Sequence, residues 1–227
     1  MFEKKFQPTT EHSCFQDIVV RVAGRLAGLF IHELNNVLAT LREKAGLADD
    51  ILAAKKMLDT DKLKGMEQVV SSFDTHLNHA VGLVRSFQVI GKSMESSAGT
   101  ADLGVQLTML APFFEKIARQ QLVTLKIEIK DGLPKAAVRP LPLQCLLVAL
   151  FENLCGICSP GDNIATKARQ EASLLVISIS TGLKDHEERG TLPWSTSDIS
   201  ALAAPNGISL QFTEGGRGVE LRLPRKE

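Results

Sequence analysis

The sequence predicts an α+β protein: an N-terminal antiparallel helical hairpin that forms a dimeric four-helix bundle, followed by an α/β sandwich. Three observations predict it. An apolar stripe of helical period runs from Phe15 to Met57. A second stripe, from Leu63 to Phe87, advances in alternating steps of three and four. Beyond a small, polar segment the pattern changes to helices and strands mixed in order, the signature of one sheet covered by helices.

The first stripe comprises Val19, Ala23, Leu26, Phe30, Leu34, Val37, Leu41, Ala45, Ala48 and Leu52, with no proline among them. Gly46 weakens this helix by about 1 kcal/mol relative to alanine. Asp59, Thr60 and Asp61 form a polar break. The second seam is Leu63, Met66, Val70, Phe73, Leu77, Ala80, Val84 and Phe87. Two long helices joined by a short turn fold back on each other, and a lone hairpin leaves part of each stripe in water. Pairing two hairpins buries the remainder, so the expected partner is a second copy of the chain.

Gly91–Thr100 reads as a linker, which divides the chain into a helical domain over 1–92, a linker over 93–100 and a second domain over 101–227. In that domain Asp102 is the expected N-cap of a helix reaching Gln121. LVTLKIEIK alternates as a strand, and DGLP turns the chain. An apolar helix entered by proline spans Pro142–Cys158. Ile164–Gln170 and Leu174–Ser180 form one strand pair. Ile208–Thr213 and Gly218–Leu223 form another, turned by Glu214-Gly215-Gly216-Arg217.

Composition narrows the function classes. Lys+Arg and Asp+Glu are equal at 26 each, so net charge supplies no attraction to nucleic acid or an anionic membrane. The N-terminal MFEKKFQPTT lacks the apolar core of a signal peptide, and no uninterrupted apolar run approaches the ~20 residues that span a bilayer. The expectation is a cytoplasmic chain without membrane insertion. Cys155 and Cys158 form a CxxC, but no second ligand pair follows, and they end the apolar run LLVALFENLCGIC. They read as small hydrophobes, and no metal site is expected.

Chemistry concentrates at His32-Glu33-Leu34-Asn35-Asn36. At about 100° per residue, His32 lies about 200° from the core residue Phe30 and faces away from the core. Asn35 and Asn36 share its face, and Glu33 flanks it. An exposed imidazole beside a carboxylate and two amides suits phosphoryl transfer. The ring attacks phosphorus only when unprotonated, and a neighbouring carboxylate orients it and takes its proton. With Asn at position 36, the second histidine of a zinc-binding HExxH is missing.

The segment AGRLAGLFIHELNNVLATL resembles the phosphoacceptor box of sensor histidine kinases of two-component systems, in the subclass with HELNN. The resemblance implies that His32 is the phosphorylated histidine, Glu33 its acid-base partner and Asn36 the amide of phosphatase chemistry. Val37 stands where that family often has proline. The second helix follows at the right distance. The stretch from Ala101 through LTMLAPFFEKIARQQLVTLKIEIKDGLP to LPLQCLLVALFENLCGIC is similar to the first half of the family's ATP-binding domain.

The nucleotide features are eroded. By the resemblance, Asn153 is the residue that would hold Mg²⁺, with Glu152 before it, but Ala149 replaces the earlier asparagine of that motif. Where the family has Asp-x-Gly-x-Gly, with the aspartate on adenine, this chain reads Ser180-Thr181-Gly182-Leu183-Lys184. The following region, GTLPWSTSDISALAAPNG, has no Gly-x-Gly for close approach to phosphates. The resulting expectation is a histidine phosphotransfer protein that accepts and donates phosphate at His32 without phosphorylating itself from ATP. Its layout is similar to that of bacterial histidine phosphotransferases. Its partners would be a receiver domain or a partner kinase. No cofactor is expected, and Mg-ATP, with Asn153 as ligand, belongs to the alternative of an active kinase. A pseudokinase interaction module, with His32 a relic, is the other alternative.

His76 and His79, three apart on the second helix, read as polar residues of a bundle surface. Trp194, the one tryptophan, is expected to anchor its polar loop on the second domain. Arg85 and Lys92 read as charges facing water.

Overall fold

The computed structural model describes residues 10–53, 60–95, 99–182, 192–213 and 217–226. The fold is α+β, with helix α1 over Thr10–Ala53 and α2 over Thr60–Glu95. These are followed by α3 (Leu103–Gln120), β1 (Thr124–Ile129), α4 (Pro140–Ile157), β2 (Asn163–Glu171) and β3 (Leu174–Thr181). Then come α5 (Thr196–Ala203), a short 3-10 turn over Ala204–Asn206, β4 (Ser209–Phe212) and β5 (Gly218–Pro224). The chain forms two compact units, one of residues up to Leu26 together with Ile90–Glu227, the other of Ala27–Val89. The helical region expected over 1–92 is therefore shared between them, with the first part of α1 belonging to the sheet-containing unit.

In the unit Ala27–Val89 the two helices form the expected antiparallel hairpin. Phe30 stacks on Phe87 with centroids 4.4 Å apart, and Val37 clusters with Ala80 and Leu83, flanked by Leu34 and Leu41. The heptad seam of α2 divides in two. Ala80 is buried and Met66, Phe73 and Phe87 are half-buried, whereas Val70, Leu77 and Val84, spaced seven apart, are exposed; the buried Val69 and Leu83 lie off the predicted seam. On α1, Ile31, Leu38 and Leu52 are likewise exposed, on a heptad line of their own. A helix packed against one neighbour buries one stripe, so part of the predicted α2 seam stays outside, while most of the predicted α1 stripe is buried or half-buried.

In the other unit the start of α1 buries Ile18, Val22 and Leu26, displacing the stripe from the predicted Val19 and Ala23. The expected linker also begins later, because α2 continues to Glu95. Ile90 is 2% exposed, and Ser93 accepts a 2.8 Å hydrogen bond from the buried Gln144 side chain. These anchors favour one more helical turn over the coil that Gly91 suggests. Residues 96–98 of the expected linker lie outside those described.

The sheet has the order β1-β2-β3-β5-β4, with β1 parallel to β2 and the other pairs antiparallel. Both predicted strand pairs are present, β2 with β3 and β4 with β5; Glu214, Gly215 and Gly216 of the second predicted turn lie outside the described residues. Ile164, Thr166, Ala168, Ile177, Ile179, Leu221 and Leu223 are buried. The solvent face carries a charge ladder, in which Glu128 pairs with Lys126 and Lys167, and Arg169 with Glu220. Gly218 is required where β5 approaches β3, because a Cβ there would lie 2.8 Å from the Ile179 carbonyl oxygen. Asp102 caps α3 as expected, accepting from the Val105 amide at 3.0 Å. Proline entry to α4 occurs at Pro140, two residues earlier than expected. This helix alone among those described is long and apolar enough to cross a membrane, and 78% of it is buried in the protein as its core helix. Phe151 on α4 stacks on Phe114 of α3.

Candidate functional site

His32 and Asn36 lie one turn apart on the exposed face of α1, as the spacing predicts. Asn36 Nδ2 is 3.2 Å from His32 Nδ1. A neutral imidazole carries one proton, so the partner on Nδ1 decides which nitrogen is nucleophilic. With the amide N–H donating, Nδ1 accepts and the proton sits on Nε2. With the amide turned over, its oxygen accepts from Nδ1–H, and the Nε2 lone pair is available. Half a turn of one side chain separates the two tautomers. Asn35 is exposed on the same turn.

Glu33 points elsewhere than the sequence reading suggests. Its side chain is 14% exposed, and Oε1 lies 3.7 Å from Nε2 of His79 on α2. Sequence reasoning missed this pairing, because helical spacing gives neighbours on one helix and says nothing of the facing residue on the next. The expected flanking position of Glu33 stands, but its contact across the hairpin belongs to tertiary structure. His76, one turn before His79, is half-buried. Among the described residues no cluster of histidine, cysteine or carboxylate side chains could hold a metal.

A second polar cluster surrounds Asn153 and Glu152 on α4. Asn153 donates from Nδ2 to the Trp194 carbonyl at 2.8 Å and accepts the Trp194 amide at 3.0 Å, so both ends of its amide hold the Trp194 backbone. Glu152, 4% exposed, accepts the Trp194 indole N–H at 2.5 Å and Arg25 Nε at 2.7 Å. Arg21 lies over the indole, 4.5 Å from the ring centroid, and its guanidinium is 3.8 Å from Asp198. A buried carboxylate needs charge and hydrogen bonds to offset its lost hydration, and Arg25 with the indole supplies both. Trp194, 1% exposed, is the anchor that its lone position in a polar loop suggested.

The loop is held on its far side by α5, a helix the sequence reading did not anticipate. Ser195 and Asp198 form a reciprocal capping box at its start. The Ser-x-x-Asp spacing before Ile199 was the available signal.

In the Mg²⁺ role that the resemblance assigns, Asn153 would use Oδ1, which here accepts the Trp194 amide. Ser180, in place of the adenine aspartate, is exposed at the end of β3. At Gly182 a Cβ would lie 2.7 Å from Oδ1 of the exposed Asn163 side chain, which would have to move aside. Leu183 and Lys184 of that segment lie outside the described residues.

Cys155 and Cys158 sit at the end of α4 as free thiols, and burial pushes the first up to about 12 and the second to about 11. Thiols so protonated are poor redox or metal groups, which agrees with reading them as hydrophobes.

No known family profile matches the chain, and no curated protein is significantly similar to it. Solved structures do align with it. The catalytic domain of histidine kinase ThkA aligns at 12% identity over 56% of this chain and 97% of that one, with a TM-score of 0.47. A histidine kinase from Burkholderia phymatum aligns at 11% identity over 92% of this chain and 98% of that one, with a TM-score of 0.45. A bacterial phosphotransferase aligns at 10% identity over 90% and 96%, with a TM-score of 0.46. Identities and TM-scores of this size are too low to carry chemistry from those proteins to this chain.

Proposed function

We propose that this chain is a histidine phosphotransfer protein of a two-component signalling pathway, accepting and donating phosphate at His32 without ATP-dependent autophosphorylation. The observation that carries the reading is the exposed His32 ring with Asn36 on Nδ1. In the productive tautomer Asn36 Oδ1 accepts from Nδ1–H, and the Nε2 lone pair attacks phosphorus of a phosphoaspartate on a receiver domain. The P–O bond to the aspartate breaks, and its carboxylate leaves with the electron pair. The imidazolium formed loses its Nδ1 proton to Glu33 or water, leaving neutral phosphohistidine. The reverse sequence donates the phosphate.

The engagement of Asn153 and Glu152 by Trp194 supports the ATP-independent form of this reading. The exposed heptad lines, Val70-Leu77-Val84 on α2 and Ile31, Leu38 and Leu52 on α1, support a homodimer in which the second copy covers them.

The test is transfer from a panel of phosphorylated receiver domains and partner kinases to the purified chain. The expected label is stable in base and labile in acid, and His32→Ala abolishes it with the fold intact, since His32 faces solvent. Asn36→Ala, which removes the partner on Nδ1, is expected to slow labelling as well as dephosphorylation. A label that persists in His32→Ala, or that never forms with any cognate partner, refutes the reading in favour of an interaction module.

A further inference from the structure

We propose that Arg42 and Asp74 form two reciprocal ion pairs between the copies of the dimer, a charge pattern that selects a second copy of this chain as partner in the parallel twofold arrangement. The inference rests on the homodimer reading above and is independent of the chemistry at His32. The exposed apolar line of α1 contains Ile31 and Leu38, and that of α2 contains Val70, Leu77 and Val84. Arg42 stands four residues beyond Leu38, and Asp74 stands four beyond Val70 and three before Leu77. Each therefore flanks its apolar line, the position from which charges reach a facing helix and set partner choice. Both are exposed, and among the described residues neither has an ion pair within the chain.

The register of the hairpin puts the two residues at one height. Phe30 stacks on Phe87, and Val37, seven residues on, clusters with Ala80, seven residues back. Arg42 is five residues beyond Val37 and Asp74 six before Ala80, so their levels differ by one residue, about 1.5 Å. When two hairpins form a bundle about a twofold axis along the helices, the free side of α1 faces α2 of the second copy, and α1 lies diagonal to α1. Rotation about that axis leaves heights unchanged. Arg42 of each copy then faces Asp74 of the other, twice per dimer. The same register carries a cost. Seven residues on from Arg42 is Asp49, and seven back from Asp74 is Glu67, both exposed. These two acids face each other across the same seam, and facing like charges repel. The arrangement thus has one attractive and one repulsive layer, which a nonspecific apolar contact does not.

The test uses the full chain and measures dimer dissociation constants by analytical ultracentrifugation at low salt, with circular dichroism to confirm the helical content of each variant. Arg42→Asp and Asp74→Arg each replace two attractions by two repulsions. Each is expected to weaken the dimer about tenfold to a hundredfold, an effect that shrinks at high salt. The double variant Arg42→Asp/Asp74→Arg exchanges the charges and is expected to recover most of the affinity. Mixing the two single variants is expected to give heterodimers beyond their statistical share in native mass spectrometry, because only the heterodimer makes both pairs attractive. Asp49→Lys is expected to tighten the dimer severalfold. Losses that add in the double variant overturn the proposal while the homodimer stands. So does a rescue without heterodimer preference, which places the pair within one chain. A dissociation constant unchanged in both single variants, or one that Asp49→Lys fails to lower, overturns it too. A wild-type chain that is monomeric at micromolar concentration removes the homodimer reading, and the proposal with it.

Discussion

Replacing Trp194 by phenylalanine removes one atom group of consequence, the indole N–H that donates to Glu152. Phenylalanine keeps most of the apolar bulk in a site that is 1% exposed, so the main loss is electrostatic. Glu152 keeps Arg25 at 2.7 Å but has a buried oxygen without its former donor. Leaving a buried acceptor unsatisfied costs about 1–3 kcal/mol, and more when it is charged. Trp194→Ala also empties the indole volume and removes the ring under Arg21, which places it at about 3–5 kcal/mol. Against a typical total of about 5–15 kcal/mol, the alanine variant is severely weakened and the phenylalanine variant measurably so. The assay is urea unfolding followed by far-ultraviolet circular dichroism, because both variants lose the chain's one tryptophan. The denaturant slope should not change, so that a lower midpoint reports stability. Adding Glu152→Gln to Trp194→Phe removes the charge and should return part of the loss. Equal midpoints for wild type and Trp194→Phe would refute the view that the indole N–H holds a buried carboxylate. So would a cost below about 1 kcal/mol for Trp194→Ala.

Other predictions concern assembly, nucleotide, thiols and acid stability. Leu77→Glu, on the exposed line of α2, should convert a dimer to monomer in analytical ultracentrifugation, because dimerisation would bury an unpaired charge; a wild-type chain that is monomeric at micromolar concentration defeats the dimer reading. Calorimetry with Mg-ATP should give no micromolar binding, and Trp194 fluorescence should not respond to the nucleotide; a micromolar dissociation constant revives the active kinase. Burial pushes the Cys145 and Cys155 thiols up to about 12, so iodoacetamide at pH 8 should label them slowly, faster as pH rises, and at full rate only after unfolding. A hydrogen bond from Arg169 holds the Glu220 carboxyl below its ordinary 4.5. Its contribution to stability is therefore complete above that value and lost as pH falls through the lowered one, so Glu220→Gln should flatten the acid limb of a melting-temperature profile.

Local rules made much of the chain legible. The period of the apolar residues identified α1 and α2, an N-cap and a proline entry marked α3 and α4, alternation identified β1, and β2 with β3 and β4 with β5 were read as strand pairs. Asp102 was readable as a cap because capping is a contact over three residues. The outward direction of His32 and its shared face with Asn36 were readable because helix geometry fixes both. Each of these is decided within a turn or a strand. Contacts between elements were not open to the same reasoning. A heptad line is apolar whether it meets the partner helix or a second copy, so only packing separated buried Ala80 from exposed Val70 and Leu77. Gly91 argued for coil, and the burial of Ile90 and Ser93 overrode it. The pairing of Glu33 with His79 joins residues on two helices. The Trp194 cluster draws Arg21 and Arg25 from α1, Glu152 and Asn153 from α4, and Asp198 from α5. The sequence by itself determined which side chains could do chemistry and which way their helix turned them. The tertiary structure decided which of them are occupied with one another, because a hydrogen bond between distant residues depends on how the elements between them fold.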